Sequence, residues 1–125
     1  MLRVCVINPY ATTIEEFIQI KEINDTLQEY YDLINCTGID ITLRYINNHP
    51  LEVVVDDLGL LKDDFKISAM CPSLYPSSPI LAGVLILAGI PNLHAGELSS
   101  LTNTEISLIH QSIRAQKDGY FLLFD

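Results

Sequence analysis

The sequence predicts an α+β domain: a mostly antiparallel sheet of five or six strands with two helices packed on it. Three observations lead there. The first is residues 79–91, Pro-Ile-Leu-Ala-Gly-Val-Leu-Ile-Leu-Ala-Gly-Ile-Pro, uncharged and almost wholly apolar. A membrane-spanning helix needs roughly 20 such residues, and the glycines and bounding prolines oppose a long helix. The stretch therefore reads as a central strand over residues 80–90, buried on both faces. The second is the alternation of residues 39–46, with Ile39, Ile41, Leu43 and Tyr45 on one face and Asp40, Thr42 and Arg44 on the other. The third is a pair of segments that open with helix-capping residues and continue with apolar residues at helical spacing.

At 125 residues the chain is expected to be one domain, residues 1–125, large enough to bury a core. Its low charge content and long apolar runs are the reverse of a disordered composition. The net charge of −9 disfavours direct nucleic-acid binding, which rests on Lys and Arg neutralising phosphates. It suits solubility, a basic protein partner, or mimicry of a nucleic acid. The acids fall in short clusters (Glu15-Glu16, Asp56-Asp57, Asp63-Asp64) rather than in the dense array mimicry favours. Cys5, Cys36 and Cys71 are odd in number, widely spaced and without a CxxC pair, so neither a zinc ribbon nor a dithiol motif is supported. Met1-Leu2-Arg3 shows no signal-peptide pattern, and the expected location is the cytoplasm, with reduced thiols and no membrane association.

Residues 2–7 form a short β-branched strand closed by the Asn8-Pro9 turn, with Cys5 as a core residue. Residues 16–23 fit either a helix or a strand, and the reading taken is a strand returning beside the first as a hairpin. A helix then starts with Asp25 as N-cap and Gln28 completing a capping box; Leu27, Tyr30, Tyr31 and Ile34 make its apolar face. Its end is expected near residues 36–38, with Gly38 left-handed at C′. Strand 39–46 turns at Asn47-Asn48-His49-Pro50 into strand 51–55, which Asp56-Asp57-Leu58-Gly59 closes. Residues 60–78 are irregular, too rich in proline near Cys71 for a helix or central strand. A second loop, residues 92–96, follows the central strand. The last helix starts with Thr102 as cap, Glu105 at N3 and Leu101 as a staple on Ile106. Ile109 and Ile113 extend its apolar face to about Gln116, Lys117-Asp118-Gly119 stops it, and residues 120–124 form a closing strand.

This order of signals, carried by Asn8-Pro9, Asn24-Asp25-Thr26-Leu27, Asp57-Leu58-Gly59-Leu60, Leu81-Ala82-Gly83 through Gly89 and Ser100-Leu101-Thr102-Asn103-Thr104-Glu105-Ile106, resembles the domain-of-unknown-function family 3846. That family comprises small proteins of phages, plasmids and other bacterial mobile elements. The matching motifs are caps, turns and core glycines, with no catalytic signature among them. The resemblance implies a bacterial host cell as the setting. It also implies an anti-defence activity, exerted on a host protein or a host signalling molecule.

No cofactor, metal site or catalytic group is expected. His49, His94 and His110 lack HxH or HxxxH spacing. Cys71 and His94 flank the expected central strand, but a strand of about ten residues spans roughly 30 Å and would hold the two apart. Gly83 and Gly89 have no following Lys-Ser/Thr and make no phosphate loop. The binding candidates are Tyr10 and Tyr75 on loops, Arg44 as one of few cations, and His94 on the loop after the central strand. The expected function is non-enzymatic: inhibition or sequestration of a host defence protein or a small nucleotide ligand. The apolar share of so small a chain also suits a homodimer. The alternatives are an acidic nucleic-acid mimic that blocks a restriction or CRISPR nuclease, and a small hydrolase using Cys71 or His94.

Overall fold

The computed structural model describes residues 1–62, 64–77, 79–91 and 98–125. The expected loop at residues 92–96, and His94 with it, lies outside the described residues. Along the chain run β1 (Leu2–Ile7), a single helical turn α1 (Ile14–Phe17), β2 (Ile18–Ile23), α2 (Leu27–Ile34), β3 (Ile39–Ile46) and β4 (His49–Asp56). Then come β5 (Ile67–Met70), β6 (Ile80–Ala82), β7 (Leu85–Ala88), α3 (Asn103–Gln111), β8 (Ile113–Gln116) and β9 (Gly119–Leu123). The fold is α+β. Five strands form an antiparallel sheet in the order β2-β1-β7-β4-β3, and four more form a second sheet, β6-β5-β9-β8, with β5 and β9 parallel.

The apolar stretch at residues 80–90 is two strands rather than one. Gly83, at φ +80, breaks it, so that β6 joins the second sheet while β7 takes the centre of the first. A residue with a Cβ is strained at such an angle. The two-sided burial expected of the whole stretch belongs to Leu85, Ile86, Leu87 and Ala88, all fully buried. Leu85 and Leu87 face one apolar cluster with Cys5, Ile7, Leu51 and Val53, and this cluster is covered by the second sheet and by Leu101 and Ile109 around α3. Ile86 and Ala88 face the other, with Val4, Val6 and Val54, under Tyr30 and Ile34 of α2. The core thus has three layers: α2, the five-stranded sheet, then the second sheet with α3. Gly89 admits the close approach of α3, since a Cβ there would meet Ser99 Oγ at 2.9 Å and Glu105 Oε1 at 3.2 Å.

Several local expectations are corrected. The N-cap of α2 is Thr26, whose side chain accepts from the Glu29 N–H, while Asp25 accepts the Tyr30 hydroxyl instead. The left-handed residue ending α2 is Asn35, at φ 61, two residues before the Thr37-Gly38 stop. Residues 14–17 coil into one turn before β2 begins. The β3–β4 connection is a two-residue turn, Asn47-Asn48, both at positive φ, so β4 starts at His49 and takes in Pro50. Within the irregular region lies an unexpected strand, β5. The capping box of α3 is present as expected, but the helix ends at Gln111 and residues 113–116 leave it to pair with β9. Lys117-Asp118 is the turn of that hairpin.

Cys5 lies fully buried between layers, and burial pushes its thiol up to about 12. The unfolded chain loses this proton near the ordinary value of 9 and the folded chain does not, so the folded state binds more protons across that window. Stability should therefore fall as pH rises from 9 to about 12, by up to about 1.4 kcal/mol per pH unit from this group. Urea titrations of the wild type and Cys5→Ala across that range should show the variant losing less stability with pH.

Candidate functional site

β1 and β4 run in the same direction on either side of β7, so their C-terminal ends lie beside the start of β7. A cleft of about 400 Å³ opens at this end of the sheet. Asn8 and Tyr10 reach it from the turn after β1, Asn35 from the end of α2, and Asp56 from the end of β4. Lys62, Asp64 and the Gly83-Val84 link complete it. The Asn8 side-chain carbonyl accepts the Tyr10 N–H at 3.0 Å, a local turn that fixes where the exposed Tyr10 ring starts. Lys62 Nζ lies 2.6 Å from Asp56 Oδ2, and that hydrogen bond holds the ammonium above its ordinary range. Asp56 also accepts the Leu58 N–H at 3.0 Å. Nearby, burial and then the Asp56 charge push the Cys36 thiol up, which disfavours the thiolate.

The other predicted residues sit elsewhere. Arg44 is 7 % exposed. Its Nη1 donates to Thr42 Oγ1 at 2.6 Å and to the Leu43 carbonyl at 3.0 Å, and burial lowers its pKa. It lines two smaller clefts, one of about 250 Å³ with Asp40, Ile80 and Leu81 and one of about 340 Å³ with Cys71, Ser73 and Asp125. The first of these shares Asp56 and Gly59 with the Tyr10 cleft, so Tyr10 and Arg44 occupy neighbouring regions without lining one pocket. Tyr75 is 77 % exposed and lines none of the three. His94 lies outside the described residues.

Reactive side chains are engaged in holding the fold. The Cys71 thiol donates to the Asp125 main-chain oxygen at 2.6 Å, and Ser73 Oγ donates to the same oxygen at 2.8 Å. The Asp125 carboxylate accepts the Asn47 and Asn48 N–H groups at 3.0 and 2.7 Å, clamping the β3–β4 turn. His49 Nε2 lies 2.8 Å from Glu105 Oε2, while Glu105 Oε1 accepts the Thr102 N–H. Among the described residues no group of three or more His, Cys, Asp and Glu could hold a metal ion, and no helix is long and apolar enough to cross a membrane.

Sequence reasoning placed Tyr10 on a loop but missed Asn8, Asn35, Lys62, Asp64 and Gly83 as its neighbours. Each sits in turn chemistry that is visible locally; only the strand order brings the turns together. No family model matches the chain, and neither does any curated relative or solved structure.

At Gly83 nothing lies within 4 Å of a built Cβ, so strain there is purely conformational. Gly83→Ala should lower stability by about 1 kcal/mol in denaturant titration, with unchanged near-ultraviolet circular dichroism.

Proposed function

We propose that this chain is a non-enzymatic binding protein of the phage or mobile-element kind, acting by stoichiometric capture of a host molecule in the Tyr10 cleft. The observation that carries the reading is the cleft itself. An exposed tyrosine stands beside two side-chain amides and an ammonium in a volume of about 400 Å³, within the range of small-molecule sites. Tyrosine offers a stacking face for a planar base, and Asn8 and Asn35 each carry both a donor and an acceptor for its edge.

Charge restricts the ligand further. Asp56 neutralises Lys62 and Asp64 adds a second carboxylate, so a polyphosphate is disfavoured inside the cleft. The occupant that fits is a nucleotide signal bound by its base, with its phosphate directed to solvent. Capture rather than turnover is supported by the engagement of Cys71, His49, Glu105 and Asp56 in structural hydrogen bonds.

Isothermal titration with the common nucleoside monophosphates and with cyclic dinucleotides tests this. At least one should bind with one site per chain and be recovered chemically unchanged. Tyr10→Ala should weaken that binding roughly 10-fold or more, as expected for loss of one stacking platform, while Tyr10→Phe should retain most of it. Binding to none of these probes, or their conversion to product, would refute the reading.

A further inference from the structure

β3 is an edge strand of the five-stranded sheet and runs for eight residues. Ile46 and His49 flank its two-residue turn, so they form a hydrogen-bonded pair and the even-numbered residues of β3 aim their main-chain groups at β4. Ile39, Ile41, Leu43 and Tyr45 therefore aim theirs outward. The bond from the Asp125 N–H to the Tyr45 carbonyl, at 2.8 Å, follows the same parity and covers that end of the edge, while the Leu43 carbonyl accepts Arg44 Nη1 at 3.0 Å and keeps its second lone pair for a further donor. The side chains of these four residues form an apolar stripe, with Ile41 40 % and Tyr45 43 % exposed.

Edge strands are normally protected by charge, brevity or cover. The opposite edge, β2, exposes Gln19, Lys21 and Glu22 around its one exposed apolar residue, Ile20, and the edges of the second sheet, β6 and β8, are three and four residues long. Among the described residues, β3 alone combines length with an apolar outer stripe.

The middle of the strand also reads symmetrically about Thr42: Leu43 answers Ile41 and Arg44 answers Asp40. We infer that β3 pairs antiparallel with β3 of a second copy, about a two-fold axis at Thr42, to join two five-stranded sheets into one. Ile41 then exchanges main-chain hydrogen bonds with Leu43 of the second copy, because both aim outward. Thr42 faces Thr42 as a non-hydrogen-bonded pair. The strand's only charged residues, Asp40 and Arg44, stand opposite each other, so no like charges are juxtaposed. An isologous contact needs such self-complementarity, and a strand from an unrelated protein would not require it. The interface lies on β3 and does not depend on the ligand reading of the Tyr10 cleft.

Sedimentation equilibrium over a concentration series up to several hundred micromolar tests the pairing. The wild type should show a monomer–dimer equilibrium. Ile41→Lys, on an outward residue that spares the β3–β4 ladder, should weaken it roughly 10-fold with the circular dichroism spectrum unchanged. Thr42→Cys should form a covalent dimer under mild oxidation beyond the wild-type background, because Cα atoms of a non-hydrogen-bonded pair lie about 4.5 Å apart, within disulfide reach. A monomer at every concentration would leave the edge to a strand of another protein and overturn the inference. So would a dimer that Ile41→Lys leaves intact, or a Thr42→Cys variant that crosslinks no more than the wild type.

Discussion

Four residues separate the two halves of the core. Leu85, Ile86, Leu87 and Ala88 are buried on both faces of the central strand, and each apolar cluster takes two of them. At about 1.5–3 kcal/mol for each large side chain, their burial is comparable with the net stability of a small domain. α2, the second sheet and α3 pack against clusters that include β7, and β1 and β4 hydrogen-bond to it. Such a strand cannot carry a charge. It must also stop before the chain leaves the layer, and Gly83 and Gly89 meet that need at its two ends, by a turn and by a close approach.

Away from this apolar strand, polar groups work at the seams between elements. The Arg3 guanidinium donates to the Leu101 carbonyl from Nε at 3.0 Å and from Nη2 at 2.7 Å, fastening the entry to α3 onto β1. Glu105 both caps α3 and meets His49 at the start of β4. Asp125 ties the end of the chain to the β3–β4 turn and to Cys71. For the buried Cys71 and Glu105 such a commitment is costly to undo, since a buried group left unsatisfied costs about 1–3 kcal/mol. Chemistry is thus left to the places where the seams open, and the cleft beside Tyr10 is the largest of the clefts described above.

Where one period dominates, the sequence was easily read. The strand at residues 39–46 and the capping box of Thr102 and Glu105 follow from alternation and from paired cap residues. Legibility failed where two periods overlap. Ile113 continues the 3.6-residue spacing of Ile106 and Ile109, yet the chain leaves the helix because residues 113–116 gain a full ladder with β9. Residues 80–90 read as one strand because apolarity is shared by both sheets and only the φ of Gly83 divides them. The burial of Arg44 was illegible for a related reason: alternation assigns it to a face, but the residues that line clefts with it, Cys71, Ser73, Leu74, Ile80 and Leu81, are remote in sequence. The Tyr10 cleft is assembled from the ends of β1, α2 and β4, and no local signal encodes that meeting.

The edge of β3, covered by Asp125 only at its Tyr45 end, is in tension with the charge of the chain. Each copy carries −9, and a surface so acidic resists self-association. Yet the carboxylate of Asp125 is turned to the Asn47 and Asn48 N–H groups at the Tyr45 end of the stripe, and the acid on the strand, Asp40, faces Arg44 in the symmetric register. The repulsion between copies is then spread over the whole surface, where salt screens it beyond about 10 Å at 0.1 M, whereas the main-chain bonds and apolar contacts are local and unscreened. In the pairing inferred for β3, association would be selective: other edges and other acidic proteins would be held off by the general charge, and the one strand that matches itself admitted.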